Sequence, residues 1–201
     1  MGDAVRIIDA THIRLSSLNA SWLSERKGLW AAKMHLVYDP DADAPMEIEL
    51  TDQIVADVTP AKAFKPIPGM TYVFDLAYYD FAWWARLHAE GCRIVTRFKS
   101  HTPLRVSIVN PVPETGSVLS DRIGLLPERL AWSRQNPMSD PVREVTVRIS
   151  TGKILRILTN DLDAPAQEIA ALYKQRWQIE LFFKWIKQNL KIGHFLGNSE
   201  N

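Results

Sequence analysis

The sequence predicts an α/β fold in which a mixed sheet is flanked by helices. β-branched runs at residues 5–9, 71–75 and 93–98 have the composition of strands. Two stretches, residues 80–90 and 163–191, read as helices, and each follows a predicted strand. Strands that are interleaved with helices are typical of a layered α/β domain.

The composition is that of an ordinary globular chain. Hydrophobic residues make up 46% and charged residues 23% of the 201 residues, enough for one domain with an inserted subdomain. The single cysteine, Cys92, excludes a disulfide framework and a cysteine-based zinc site, and it fits a reducing cytosol. No apolar run approaches the roughly 20 residues of a membrane span, and there is no signal-peptide pattern. Because the net charge is only +1, a nucleic-acid partner would have to be bound by local patches.

The stretch from 163 to 191 is predicted to form one long helix. Asp163 is a suitable N-cap, Pro165 fits the first turn, and Gly193 lies just past the end. Four polar residues at offsets of 0, 3, 7 and 14 share an arc of about 60° on this helix: Tyr173, Arg176, Glu180 and Lys187. Apolar residues fill the neighbouring arc: Leu172, Ile179, Phe182, Phe183, Ile186 and Leu190. On this pattern alone, a buried helix with an internal Arg176–Glu180 pair explains the spacing equally well.

The same stretch, LYKQRWQIELFFKWIK, resembles a known family. Tyr, two residues, Arg, three residues, Glu, six residues, Lys is the signature of one large family of bacterial insertion-sequence transposases of the DDE type. The resemblance implies a ribonuclease-H-like mixed sheet with flanking helices and a β-rich insertion before the last catalytic helix. It also implies that Glu180 is the third metal-binding carboxylate, with two aspartates upstream on strands.

Two upstream segments resemble the parts of that family that carry the aspartates. The phrase IIDATHIRL matches the first segment and YVFDLAYYDFAWWARLHAEGCRIVTRFK the second, although Leu76 and Ala77 replace a basic residue and a glycine of many members. The resemblance implies that Asp9, Asp75 and Glu180 are the catalytic metal ligands, binding Mg²⁺ with Mn²⁺ as a substitute. Without it, Asp9 would read as a turn or cap residue at the end of a strand.

The resemblance also implies contacts with DNA. Three side chains of the helix face would bind phosphates beside the scissile bond: Tyr173, Arg176 and Lys187. Independently of the resemblance, Arg97 and Lys99 are candidate phosphate contacts, with ordinary surface charge as the alternative. Trp132 is the candidate for stacking on a base flipped out near the cleaved end, with a place in the core of the insertion as the alternative.

Several local features are predicted independently of the resemblance. Residues 33–39 and 46–50 read as a hairpin that joins the first strand in an antiparallel sheet of three strands, with His35 packed inside it. Asp80 reads as the cap of the helix that follows it. The chain is expected to comprise a first part of the core at 1–99, the β-rich insertion at 100–150, and the final strand and catalytic helix at 151–201.

The sequence therefore predicts the catalytic core of a transposase, performing divalent-metal-dependent cleavage and strand transfer at insertion-sequence ends. Its expected partners are double-stranded DNA and a second copy in a synaptic complex, in the bacterial cytoplasm at the nucleoid and away from membranes. Only eight residues precede Asp9, and family members extend further at both ends, so truncation is expected. A catalytically inactive fragment that binds DNA or other transposase chains is therefore the alternative, followed by a metal-dependent nuclease with another substrate.

Overall fold

The computed structural model describes residues 4–14, 23–24, 30–129 and 134–189. The strands are β1 (Val5–Arg14), β2 (Ala31–Asp39), β3 (Ala44–Asp52), β4 (Thr71–Phe74), β5 (Arg93–Arg97), β6 (Arg105–Asn110), β7 (Val118–Leu125), β8 (Val142–Arg148) and β9 (Ile154–Thr159). The helices are α1 (Val58–Ala63), α2 (Phe81–Ala89), α3 (Ala166–Gln175) and α4 (Trp177–Asn189). None of these described helices is both long and apolar enough to span a membrane.

The chain divides into two compact units. The first comprises Met1–Arg6 with Lys65–Arg176, and the second comprises Ile7–Phe64 with Trp177–Asn201. The predicted boundaries near residues 99 and 150 do not coincide with this division and stay a prediction about domains.

The first unit is built on a mixed sheet with the strand order β4-β5-β9-β8-β7-β6. β4 and β5 run parallel, and each of the other neighbouring pairs is antiparallel. The central strands are rich in β-branched residues that are almost completely buried, such as Val73, Val95 and Ile157. Helix α3 packs against five of these strands, and α2 packs against β5. The unit is therefore a sheet covered by helices, as the sequence predicts.

Helix α2 begins where its sequence predicts. The Asp80 Oδ1 atom accepts a hydrogen bond of 2.9 Å from the Trp83 backbone N–H, which is the bond expected of an N-cap. Trp83 and Trp84 are buried, and the Trp83 ring centroid lies 4.7 Å from that of Phe74. These two tryptophans stabilise the core and are not exposed for base stacking.

The region from 100 to 150 contains more regular structure than its sequence indicates. Short β-like runs of the sequence at 104–109 and 142–149 correspond to β6 and β8, whereas the sequence of β7 contains no such run. β7 carries polar residues such as Asp121 and Arg122, which hide its strand pattern. β8 pairs with β9, so these strands continue the sheet of the first unit. A predicted run at 129–132 lies mostly outside the described residues.

The second unit contains the predicted antiparallel sheet of three strands, β3-β2-β1. One expectation about it is wrong, because Asp9 does not end its strand. β1 continues for five residues beyond Asp9, since β2 offers partners along that whole length: Asp9 lies opposite Leu36, and Arg14 lies opposite Ala31.

The predicted single helix from 163 to 191 is also corrected. It is divided at Arg176 into α3 and α4, and Pro165, not Asp163, occupies the N-cap position of α3. Helical conformation is disfavoured for the residue before a proline, here Ala164, and the helix begins after Pro165. Asp163 instead donates its backbone N–H to Asp161 Oδ1 at 3.0 Å. The predicted end, from Leu190 to Gly193, lies outside the described residues.

His35 is packed within the sheet of the second unit, as predicted. It is 1% exposed, and its Nε2 atom lies 2.8 Å from Thr51 Oγ1. The pKa of His35 is lowered to about 4, chiefly by burial, while Asp57 acts to raise it and nearby Lys33 and His12 act to lower it. The folded protein therefore holds this imidazole neutral.

This low pKa predicts acid sensitivity. The ordinary pKa of histidine is 6.5, so below that pH the unfolded chain binds a proton that the folded chain excludes until about pH 4. We expect the free energy of unfolding to fall by about 3 kcal/mol from this residue as the pH drops through that interval. Urea unfolding at several pH values should show a shallower decline for His35→Gln. Parallel curves for the two proteins would contradict the assignment.

Candidate functional site

Asp75 stands directly after β4, at the carboxyl end of a buried parallel strand. Its Oδ1 atom accepts a hydrogen bond of 2.8 Å from the Ala77 backbone N–H, which starts a short 3₁₀ turn at Leu76–Tyr78. Its backbone carbonyl accepts a longer bond of 3.4 Å from Thr96 Oγ1 on β5. The half-buried carboxylate is therefore anchored at the edge of the sheet where α/β folds place ligand sites.

Arg97 ends β5, the strand beside β4. It is half-buried and lies opposite Ile157 in the sheet. Its Nε atom is buried and has no hydrogen-bond partner within the described part of the chain. A buried donor without a partner is costly, and binding an anion would remove that cost.

Tyr173 joins these two residues from α3. Burial is the main reason that the pKa of its phenol is raised above 10. Arg176 and Arg97 act to lower this pKa, and Asp75 acts to raise it, so all three charges lie within electrostatic range of the phenol. The Arg176 guanidinium carbon is 6.0 Å from the centroid of the Tyr173 ring. The structure thus brings four predicted site residues together in the first unit.

This group, which we call the Asp75 cluster (Asp75, Arg97, Tyr173 and Arg176), combines a carboxylate with two cations and a protonated phenol. Guanidinium groups bind phosphate oxygens through paired N–H donors. A phenol with a raised pKa keeps its proton at neutral pH and can also donate. The cluster is therefore suited to hold an anionic diester beside a carboxylate.

The other two predicted carboxylates belong to the second unit. Asp9 is half-buried on β1, and its Oδ1 atom accepts a bond of 2.8 Å from the Ala10 backbone N–H. Tyr38 lies opposite Ile7, two residues before Asp9, so all three side chains share one face of the sheet. The ring of Phe182 on α4 lies 5.2 Å from that of Tyr38. Helix α4, with half-buried Glu180 in its first turn, therefore packs on the face that carries Asp9.

Two further residues predicted to contact DNA are Lys187 and Trp132. Lys187 is exposed near the end of α4 in the second unit. Trp132 lies outside the described residues, while its neighbours Arg129 and Arg134 are exposed. Both stay predictions.

The carboxylates suit magnesium in kind, because Mg²⁺ prefers oxygen ligands. However, residues 4–14, 23–24, 30–129 and 134–189 contain no group of three or more His, Cys, Asp or Glu side chains that could hold a metal ion. Asp75 belongs to the first unit, and Asp9 and Glu180 belong to the second. Their assembly into one metal site therefore stays a prediction.

The mixed sheet with flanking helices defines a class of protein by its architecture, the ribonuclease-H-like α/β fold. A cryo-EM structure of the piggyBac transposase synaptic complex with hairpin DNA matches this chain with a TM-score of 0.56. The match covers 92% of this chain and 40% of that one at 10% sequence identity, and it establishes the fold alone. The predicted fold class is confirmed.

The family follows from the sequence. Residues 1–201 match the family described as "Transposase DDE domain", and the chain belongs to that family. It is 39% identical over 200 residues to "Putative transposase y4zB" of Sinorhizobium fredii, covering 98% of this chain and 55% of the relative. It is 27% identical over 202 residues to "Probable transposase for insertion sequence element IS5377" of Geobacillus stearothermophilus, covering 98% and 51%.

These relatives confirm the prediction of a DDE-type insertion-sequence transposase. The subfamily with the Tyr-Arg-Glu-Lys signature stays a prediction. The chain spans about half the length of the two relatives that it matches.

Proposed function

We propose that this chain is the catalytic core of a transposase that cuts DNA at insertion-sequence ends and transfers the freed strand to a target. The observation that carries the proposal is the Asp75 cluster, in which Asp75, Arg97, Tyr173 and Arg176 interact within one unit. The sequence spacing of Tyr173 and Arg176 could by itself have reflected helix packing alone. The added cation from a separate strand, Arg97 on β5, makes phosphate binding the better explanation.

In this proposal the residues of the cluster have distinct roles. Arg97 and Arg176 bind non-bridging phosphate oxygens, and the buried Arg97 Nε atom gains the partner that it lacks within the described residues. Tyr173, held protonated by burial, donates a further hydrogen bond. These contacts are with the DNA backbone, so they position the strand without reading its sequence.

The proposed cofactor is Mg²⁺, with Mn²⁺ as a substitute, and its proposed ligands are Asp9, Asp75 and Glu180. When bound, a pair of divalent ions supplies charge neutralisation and activation for phosphodiester transfer. Family membership supports this assignment. Lys187 and Trp132 are proposed as additional DNA contacts, and the proposed setting is a homodimeric synaptic complex on double-stranded DNA in the bacterial cytoplasm, at the nucleoid.

A fragment that binds DNA or other transposase chains without cutting is the second candidate function. In that case the phosphate-binding cluster would function without the metal site.

Calorimetric titration with Mg²⁺ or Mn²⁺ tests the proposed metal site and separates the two functions. We expect weak divalent-metal binding by the wild type and its loss in Asp75→Ala, because the variant removes a predicted ligand. Asp163→Ala, at an exposed carboxylate of the same unit, is the matched control and should bind like the wild type. Equal heats from the wild type and Asp75→Ala would favour the non-catalytic fragment.

A further inference from the structure

Arg156 on β9 uses one guanidinium group to hold an entire loop. Its Nη1 atom donates to the backbone carbonyls of Lys99 at 2.7 Å and Ser100 at 2.8 Å. Its Nη2 atom donates to the Thr102 carbonyl at 3.2 Å. Three carbonyls of residues 99–102, which we call the Lys99 loop, thus converge on one planar fork.

A buried carboxylate fixes the orientation of the Arg156 guanidinium group. Glu144 on β8 is 0% exposed and accepts from Arg156 Nε at 3.0 Å and Nη2 at 2.7 Å. Arg122 on β7 donates to the same carboxylate at 2.7 Å. Burial alone would raise the pKa of Glu144, but hydrogen bonds from Arg156 and Arg122 hold it below its usual value. The charge that orients Arg156 is therefore retained at neutral pH.

The Lys99 loop is connected to the turn that Asp75 begins. The Tyr79 hydroxyl donates to Thr102 Oγ1 at 2.9 Å, and the Lys99 ammonium lies 4.2 Å from the centroid of the Tyr79 ring. Tyr79 immediately follows the 3₁₀ turn that Asp75 caps. At its other end, the loop begins two residues after Arg97. The loop therefore follows Arg97 closely in the chain and contacts the residue that ends the turn of Asp75.

We infer that Arg156 is a positioning residue, which holds the Lys99 loop so that Lys99 contacts a phosphate of bound DNA next to the one held by Arg97. This inference rests on the proposed DNA-binding function. Arg156 does not bind the phosphate itself, because its own donors are occupied by the loop carbonyls and by Glu144. It supports the Lys99 contact by holding the backbone of the loop. Lysine at 156 would keep the charge but could not reproduce the planar fork.

The salt dependence of binding to a random-sequence duplex tests the inference. Each phosphate contact contributes about one unit to the slope of log affinity against log salt, so Lys99→Ala should lower the slope by about one. We expect Arg156→Lys to lower it similarly, although the net charge is unchanged. Adding Lys99→Ala to Arg156→Lys should then change the affinity by less than about twofold, since coupled residues are not additive.

Arg122→Lys is the matched control. Arg122 binds the same Glu144 carboxylate but, among the described residues, donates to no carbonyl of the Lys99 loop, so its variant should keep the wild-type slope. Tyr79→Phe removes only the hydroxyl anchor at Thr102 and should weaken binding in the same direction as Arg156→Lys, with a smaller risk of unfolding. A wild-type slope in Arg156→Lys would overturn the inference.

Amide hydrogen exchange of residues 99–102 tests the loop without DNA. We expect faster exchange in Arg156→Lys than in Arg122→Lys, and equal exchange in the two variants would overturn the role of Arg156. If the wild-type chain shows no salt-dependent DNA binding, the proposed function fails. If the wild type binds DNA and Arg156→Lys has the same salt dependence and affinity, only the positioning role of Arg156 is overturned.

Discussion

Glu180→Gln should abolish metal-dependent DNA strand cleavage. The amide has nearly the shape of the carboxylate but no charge, so a divalent ion loses a ligand of the kind that it prefers. We expect the cleavage rate to fall at least about a thousandfold, equivalent to roughly 4 kcal/mol in the activation barrier. Glu180 is half-buried in the first turn of α4, so the substitution should leave the fold intact.

The measurement is cleavage of a labelled duplex carrying an insertion-sequence end, with Mg²⁺ or Mn²⁺ supplied. Glu168→Gln is the matched control, because Glu168 is another helical carboxylate, 49% exposed and paired with Arg93 outside the predicted site. It should cut at the wild-type rate, and melting temperatures should show that both variants are folded. Cleavage by Glu180→Gln at the wild-type rate would remove Glu180 from the proposed site.

Arg143→Met should destabilise the protein more than substitution at an exposed ion pair. Arg143 and Asp121 have side chains only 5% and 4% exposed, joined by two hydrogen bonds of 2.8 and 2.7 Å. Hydrogen bonds that Arg143 donates to Asp121 raise the pKa of Arg143, so the guanidinium is held charged. Removing it leaves the Asp121 carboxylate buried without its partner, and we expect a loss of about 3–5 kcal/mol in the free energy of unfolding.

Urea unfolding would measure this loss, with two comparisons. The double variant Arg143→Met with Asp121→Leu should recover much of the stability, because an apolar pair leaves no buried charge. Arg105→Met breaks an ion pair whose side chains are 68% and 77% exposed, and it should cost less than about 1 kcal/mol. If the double variant were as unstable as the single variant, lost packing and not charge would be the explanation.

Local physical rules account for the features that the sequence predicted well. The Asp80 cap and the β2–β3 hairpin depend on neighbours in the chain, and the Asp75 position follows from the end of one strand. The single long helix failed because Pro165 fixes the helix start and Arg176 interrupts the helix. Tyr173 belongs to the first unit and Glu180 to the second.

Long-range pairing explains what the sequence did not indicate. Glu144 and Arg156 lie on neighbouring strands with Arg156 opposite Thr146, and only that register brings their charges together. An arginine between apolar residues at 154–158 is the only local signal, and it does not identify a partner. Resemblance named the carboxylates Asp9, Asp75 and Glu180, but their assembly depends on contacts that no local pattern encodes.

The two edge strands, β6 and β3, differ in how strongly they favour aggregation with another chain. β6, last in the sheet of the first unit, exposes Val106, Ile108 and Val109, with Arg105 as its one charged residue. β3, last in the sheet of the second unit, also exposes Met46, Ile48 and Leu50, but these residues alternate with Glu47 and Glu49. Repulsion between like charges protects an open strand against pairing with another chain, whereas branched apolar side chains invite it. Crowding in concentrated solution should therefore promote aggregation through β6 before β3.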